Sequence, residues 1–476
     1  ANSNSAFGFR ALKANTTGDR NVAVGVEALD ANTTAAKNTA IGYQSLSANN
    51  TGSDNTGLGA FALLVNTTGS FNVAVGQGSL ESNTTASSNI GIGVGALQSN
   101  TTASNNTAVG RSALNQNTTG LQNVAVGSFA LDAITTANNC IGIGHNAGGK
   151  ITTGISNVGI GTNSIDNVTT GSLNIGIGDS SLSSINSGSR NVAIGHTAMA
   201  NATGNSHDNV CIGTQSGYQL STNNAYYNTC IGSYTLDEAT TAHSNTAIGY
   251  GSLSALTTGD GNVCMGIFTG VSATTANANT LIGNNAGHDI TQAAEGVCIG
   301  SAAGYSAGND YVAGTGGIYI GAASQASSNN VDREIVLAYN MIGKGTRTFF
   351  VGADLGVYHG GNTTTWTTTS DERIKKNIVD NNVGLDIINK LQPRNFEYKS
   401  LEEIKTTSLA SVADKALVEK SGTQLGFVAQ ELEKVLPSAV NTNELGIKNV
   451  NVDNILYYLI NSIKELSAKV TALEAG

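Results

Sequence analysis

The sequence predicts a mostly β protein: a 17-residue-repeat β-solenoid or β-roll, followed by a small α+β domain that ends in a coiled coil. Three observations predict it. A glycine returns every 17 residues, at Gly8, Gly25, Gly42, Gly59 and onward to Gly195, eleven steps without a slip. The triplet before each glycine is branched–small–branched, as in Val22-Ala23-Val24 and Ile90-Gly91-Ile92. Charge is unevenly spread: of 476 residues, the last 107 (370–476) hold 13 of the 23 Lys/Arg and 15 of the 33 Asp/Glu. A period held over that distance marks a repeat architecture. The change in charge marks an ordinary domain joined to a neutral, small-residue rod.

Each repeat has three parts. The triplet is β-type, with its branched residues on one face and the small residue on the other. After the glycine comes a small residue and usually Leu, as in Ala28-Leu29 and Ser45-Leu46. A run of Asn, Thr, Ser and Gly follows, such as Asn66-Thr67-Thr68-Gly69, in residues that accept turn geometry. The recurring glycine and β-branched runs argue against helix. One such unit cannot bury its apolar face alone, so the units must stack. Some eighteen coils at roughly 4.8 Å each make a rod on the order of 85 Å long. The small face has two possible places, the coil interior or close contact with sister chains around an axis. The step lengthens to 18 at Gly213 and 19 at Gly232, returns to 17 through Gly300, and a last copy ends at Gly321. The pattern resembles the head repeats of trimeric autotransporter adhesins and the Gly-rich repeats of phage fibres. That likeness assigns no functional residue.

The sequence places the repeat shaft at 1–304, a β-rich cap or neck and linker at 305–369, and the charged domain at 370–476. The middle segment holds two strand-like runs, 333–339 and 347–352, and then a Gly/Thr stretch with the only tryptophan, Trp366. A lone aromatic is more often packing than a sugar-stacking site.

Composition narrows the function. Net charge is −10 with no basic stripe, which argues against nucleic acid as a partner. No apolar stretch reaches membrane-spanning length and no signal-peptide pattern opens the chain, so membrane insertion is not expected. Exit from the cell is then expected by lysis or within a particle, and a chain that starts mid-pattern leads us to expect an upstream attachment segment. Of the five cysteines, Cys211, Cys230, Cys264 and Cys298 replace the small residue of a triplet, and Cys140 takes an Asn position. None forms a Cys-x-x-Cys pair, so they read as small core residues. No metal site and no cofactor are expected.

The charged domain is more specific. It opens with Ser370-Asp371-Glu372-Arg373-Ile374-Lys375 and contains Gly426-Phe427-Val428-Ala429-Gln430-Glu431. It closes with a helix over about 452–474, with Leu456, Ile463 and Val470 at a positions and Leu459, Leu466 and Leu473 at d. That 4-3 spacing predicts a coiled coil. In this order the three blocks resemble the intramolecular chaperone domain of endosialidase-type phage fibres. The resemblance implies a homotrimer whose chaperone domain guides folding of the β-rich fibre and then cuts itself off. It implies a Ser-Lys dyad at Ser370 and Lys375 and a scissile bond at Thr369–Ser370. Where some relatives have a histidine near the Gly-Phe block, this chain has Thr423-Gln424-Leu425.

The chemistry stands by itself. A serine hydroxyl attacks only when a neighbour takes its proton, and a lysine does so only when burial lowers its pKa towards neutrality. The i,i+5 spacing does not put both side chains on one helical face. The segment must therefore bend, or a neighbouring subunit must complete the site. A purely structural reading also exists: Thr369-x-x-Glu372 fits a capping box, with Lys375 solvated.

The resemblance implies a phage tail fibre or other receptor-binding virion protein, made in the host cytoplasm and extracellular when it works. Its partners would be a host cell-surface receptor or glycan and other tail or baseplate proteins. The alternatives weighed are a bacterial surface adhesin, an ice-binding solenoid built on recurrent Thr-Thr pairs, and a glycan depolymerase. The threonines sit among turn residues, and no in-register carboxylate pair supports glycan hydrolysis.

Overall fold

The computed structural model describes residues 3–220, 225–305, 312–352, 357–359, 375–408, 422–442 and 446–475. By its contacts the chain divides into two units, Ala1–Thr369 and Ser370–Gly476.

The first unit is a β-solenoid. Among the described residues, nineteen three-residue strands follow one another from β1 (Ser5–Phe7) through β2 (Val22–Val24) and β3 (Thr39–Ile41) to β19 (Ile318–Ile320). Each pairs with the next in parallel and in register, as in Val22↔Thr39, Ala23↔Ala40 and Val24↔Ile41. The recurring glycine follows from this stacking. Gly25 holds φ +136°, and a Cβ there would stand 2.4 Å from the carbonyl oxygen of Gly42 in the next coil. Only glycine fits such a position. Its N–H donates to Phe7 O at 2.8 Å, tying it to the previous coil.

The structure settles which face is inside. Ala23 is fully buried, while Val22 and Val24 are each 36 % exposed. The interior is about one side chain wide: a Cβ on Gly57 would already sit 2.5 Å from Ser45 Oγ. The Leu column, Leu29 to Leu131, fills the opposite wall and is fully buried. Ala, Gly or Cys between the branched residues is thus a packing requirement. The branched residues form an apolar stripe along the outside of the rod.

The asparagines are core residues, although their sequence setting suggests turns. Asn21, Asn38, Asn55, Asn72, Asn89, Asn106 and Asn123 are all fully buried. Asn38 N donates to Asn21 Oδ1 at 2.9 Å, and Asn38 Nδ2 donates to Gly52 O at 2.9 Å. A second column, Asn32 to Asn117, donates to its own turn and to the preceding coil, as Asn66 Nδ2 does to Gly69 O and Asn49 Oδ1. From Ile134 that second column becomes aliphatic, with Ile151, Val168 and Ile185 equally buried. All five cysteines are free and buried. Cys140 acts within the first ladder: its N–H donates to Asn123 Oδ1 at 2.9 Å and its thiol to Gly154 O at 3.3 Å.

The stack does not stop at the boundary expected at 304. β19 pairs in parallel with β20 (Ile335–Ala338), and β20 with β21 (Phe349–Gly352); β22 (Val357–His359) then runs antiparallel to β21. A longer connecting turn does not prevent an apolar triplet from adding a rung. Glu334 takes the Asn place in this last part and is fully buried. Its carboxylate accepts from Tyr319 Oη at 3.2 Å, Ser327 N at 3.0 Å and Gly345 N at 2.7 Å.

The second unit is small and α+β. Its helices, among the described residues, are α1 (Leu385–Ile388), α2 (Leu401–Lys405), α3 (Ala429–Val435) and α4 (Asp453–Glu474). Two antiparallel strand pairs accompany them, β23 (Arg394–Phe396) with β24 (Gln424–Gly426) and β25 (Val440–Thr442) with β26 (Lys448–Val450). Gly384 lies against the α4 backbone at Ser462, and Leu385 N donates to Glu465 Oε1 at 3.2 Å. The core is thin: Leu432, Leu436 and Ala439 are buried, with Leu391, Phe427, Val440, Val450, Ile455 and Tyr458 around them. A capping box closes α2, where Ser400 and Glu403 satisfy each other's backbone N–H.

Candidate functional site

Thr369 and Ser370, the expected scissile pair, lie outside the described residues, as do Trp366 and the segment 371–374. Lys375 is the first described residue of the opening motif, and it is exposed. The chain from Lys375 to Val383 is irregular and leaves Ile378, Val379 and Val383 facing solvent. It then enters α1, which seats it on α4: Asn461 Nδ2 donates to Val383 O at 3.2 Å. The opening motif is thus anchored to the long helix only a few residues downstream.

The Gly-Phe-x-Ala-Gln-Glu block bridges β24 and α3. Phe427 packs against the core, and Glu431 forms a two-pronged pair with Arg394 of β23, at 3.0 and 3.1 Å. The guanidinium holds the Glu431 carboxyl below its usual range. Glu431 therefore ties helix α3 to strand β23. Thr423 and Gln424 lie at the start of β24, where Thr423 Oγ1 donates to Glu397 at 3.5 Å. A cavity of about 830 Å³ opens beside this block, lined by Phe396, Tyr398, Leu425, Val428, Lys448 and Val452 among others.

Helix α4 carries two faces. Ile455 and Tyr458 pack on the unit's own core, and Ser462 is buried. Leu456, Leu459, Ile463, Leu466, Val470 and Leu473 are 43–81 % exposed. Six large apolar residues at 4-3 spacing, left in water along one helix, form an unsatisfied surface.

On the rod, among the described residues, no three His, Cys, Asp or Glu side chains come together in a way that would hold a metal ion. In each Thr-Thr pair the first hydroxyl is tied into the stack, and the second threonine, such as Thr68 or Thr85, is exposed. Thr67 Oγ1 donates to Thr84 O at 3.0 Å, and Thr84 Oγ1 to Thr101 O at 3.0 Å, so these hydroxyls are used within the stack.

A β-solenoid rod with a small C-terminal α+β domain defines the class of architecture. More particularly, residues 370–441 match the family model of the chaperone of endosialidase, a family of self-cleaving intramolecular chaperones. No curated protein and no solved structure matches the chain.

Proposed function

We propose that the chain is one subunit of a homotrimeric fibre of the phage tail-fibre type. Its C-terminal domain directs trimerisation and folding and then releases itself at Thr369–Ser370. One observation carries the reading. The family match begins at Ser370, and the division between the two compact units falls at the same peptide bond. Release at that bond would separate the units without cutting through either.

The chemistry assigns roles to two residues. Ser370 Oγ attacks the Thr369 carbonyl carbon while the Lys375 amine takes the hydroxyl proton. The proton passes to the Ser370 nitrogen as the peptide bond breaks. The product is an ester between the Thr369 carbonyl and Ser370 Oγ, with a free Ser370 amine. Water hydrolyses the ester, leaving a Thr369 carboxylate and the Ser370 hydroxyl. Lys375 is exposed in the single chain, and a lysine base needs burial. A neighbouring subunit closing over it would supply that burial and would delay cleavage until assembly.

Two unsatisfied surfaces support association of copies, and the number three follows the family resemblance. One is the a/d seam of α4, and the other is the stripe of branched residues on the rod. A thin core in the second unit points the same way, because so small a core rarely stabilises a domain alone. By likeness to fibres, the further partners are a host cell-surface receptor or glycan and adjacent tail or baseplate proteins. The chain would then be made in the host cytoplasm and act outside it, on the virion.

Expression of residues 1–369 alone beside the full chain tests this. We expect the short chain to misfold or aggregate, and the same segment released from the full chain to be a soluble trimer by light scattering. A soluble trimer from 1–369 made alone would contradict the chaperone role.

A further inference from the structure

The rod departs from its own rule singly at Ala36, Leu121 and Ile155, and at one place over three coils in a row. Two residues before each ladder asparagine, a short polar side chain ordinarily accepts an N–H from the preceding coil. Ser53 Oγ accepts from Ala36, Ser70 Oγ from Ser53, Ser87 Oγ from Ser70 and Ser104 Oγ from Ser87. Ser172, Ser189, Asp260 and Asn277 do the same further along. In three consecutive coils that residue is a ring instead: His207, Tyr226 and His243. The rings stack face to face, with centroids 5.4 and 4.9 Å apart and planes 7° and 3° from parallel. The two irregular coils, of 18 and 19 residues, are the ones whose turns lead into His207 and Tyr226. The aromatic residues gather here as well. Six of the twelve Phe, Tyr and Trp in residues 1–304 fall within 218–268, and none lies between 130 and 217.

The stack has a defined border. Tyr227 is 60 % exposed and stands edge-on to Tyr226, with centroids 5.1 Å apart. Asp208 accepts from Arg190 Nε and Nη2, at 2.6 and 2.8 Å, and lies 2.6 Å from His207 Nδ1. Asp260 lies 3.0 Å from His243 Nε2. The exposed Tyr227 ring thus meets Tyr226 and His207 edge-on, while Asp208 with Arg190 flanks the stack at His207 and Asp260 flanks it at His243.

We propose that this ring stack is a saccharide-binding site. A pyranose has an apolar C–H face that rests on an aromatic ring and a rim of hydroxyls that need paired donors and acceptors. Both are present here on a rigid scaffold. Two carboxylates against one guanidinium disfavour a polyphosphate ligand. The proposal deepens the fibre reading and rests on it, since it names where the rod would meet a host glycan.

The test uses the full chain and three variants, Tyr227→Ala, Tyr226→Ser and His243→Ser. The two serine variants restore the residue that the repeat uses elsewhere, so they should fold. The probes are immobilised mono- to tetrasaccharides of glucose, galactose, mannose, N-acetylglucosamine and sialic acid. We expect the wild type to bind at least one class, and each variant to lose about tenfold or more in affinity, with the melting midpoint and assembly mass unchanged. No binding across the panel, or binding within twofold of wild type in Tyr227→Ala, overturns the site. A variant that changes assembly mass also overturns it, because the rings would then be a contact between copies. Cleavage and mass are read on the same samples. Normal cleavage and trimer mass without saccharide binding sinks the ring site alone. Absent cleavage or a monomeric mass sinks the fibre reading, and the binding data still judge the rings.

Discussion

Asn72 holds three neighbours at once. Its Nδ2 donates to Ala86 O at 2.9 Å and to Asn55 Oδ1 at 3.1 Å, and its Oδ1 accepts from Asn89 N at 3.0 Å. Asn72→Ala would leave the Asn89 N–H buried and unpaired, while the Ala86 carbonyl keeps its bond from Asn83 Nδ2. We expect a loss of about 1–3 kcal/mol, seen as faster amide hydrogen exchange at Asn89. Protection equal to wild type would show that water replaces the amide. Asp237 behaves in the opposite sense. Burial pushes its carboxyl up to about 6, so the folded chain holds a proton that the unfolded chain has released. The stabilisation from protonation is full below about pH 4 and is lost as pH rises through 6. Asp237→Asn should therefore raise stability above pH 6, by on the order of 1 kcal/mol after allowance for its half-exposed setting. The gain should vanish below pH 4, and a pH-independent gain in the melting midpoint would contradict the cause. Burial also pushes the Cys140, Cys264 and Cys298 thiols up. Iodoacetamide should modify none of the five cysteines until the chain is denatured.

At the scale of elements, some features were legible in the sequence and some were not, for physical reasons. The strand triplets were legible because a glycine at φ near +135° with no room for a Cβ recurs in every coil. Which face of the triplet turns inward was not legible. Alternation separates two faces without saying which is buried, and the narrow interior decided for Ala, Gly and Cys. The buried asparagines resembled turn residues because turns and ladders use the same amide; the difference is that here the partner lies one coil away. The capping box at Ser400 and Glu403 had its signal, Ser-Leu-Glu-Glu ahead of an apolar residue, and the sequence reading passed it over for Thr369 and Glu372. In α4 the a/d residues were legible from spacing, whereas the second face through Ile455, Tyr458 and Ser462 needed the fold. If the seam joins copies, Leu459→Asp with Leu466→Asp should reduce the assembly mass to that of a single chain in light scattering. An unchanged mass would place the contact elsewhere.

For the whole molecule, a periodic rod and a charged domain solve different problems. A rod of in-register parallel rungs has only neighbour contacts between coils, so folding can begin at many places and slip in register. A domain that gathers copies, as proposed here for 370–476, would remove that freedom. The hallmarks of the domain were legible because they are short fixed motifs. The proposed pairing of Ser370 with Lys375 rests on the family resemblance, because six consecutive residues do not say what encloses them. The most direct measurement is the intact mass of freshly expressed full chain beside Ser370→Ala and Lys375→Met. The account predicts two fragments divided at Thr369–Ser370 in the wild type and a single uncut chain in both variants. An uncut wild type, or a Ser370→Ala chain cut at the same bond, would contradict it.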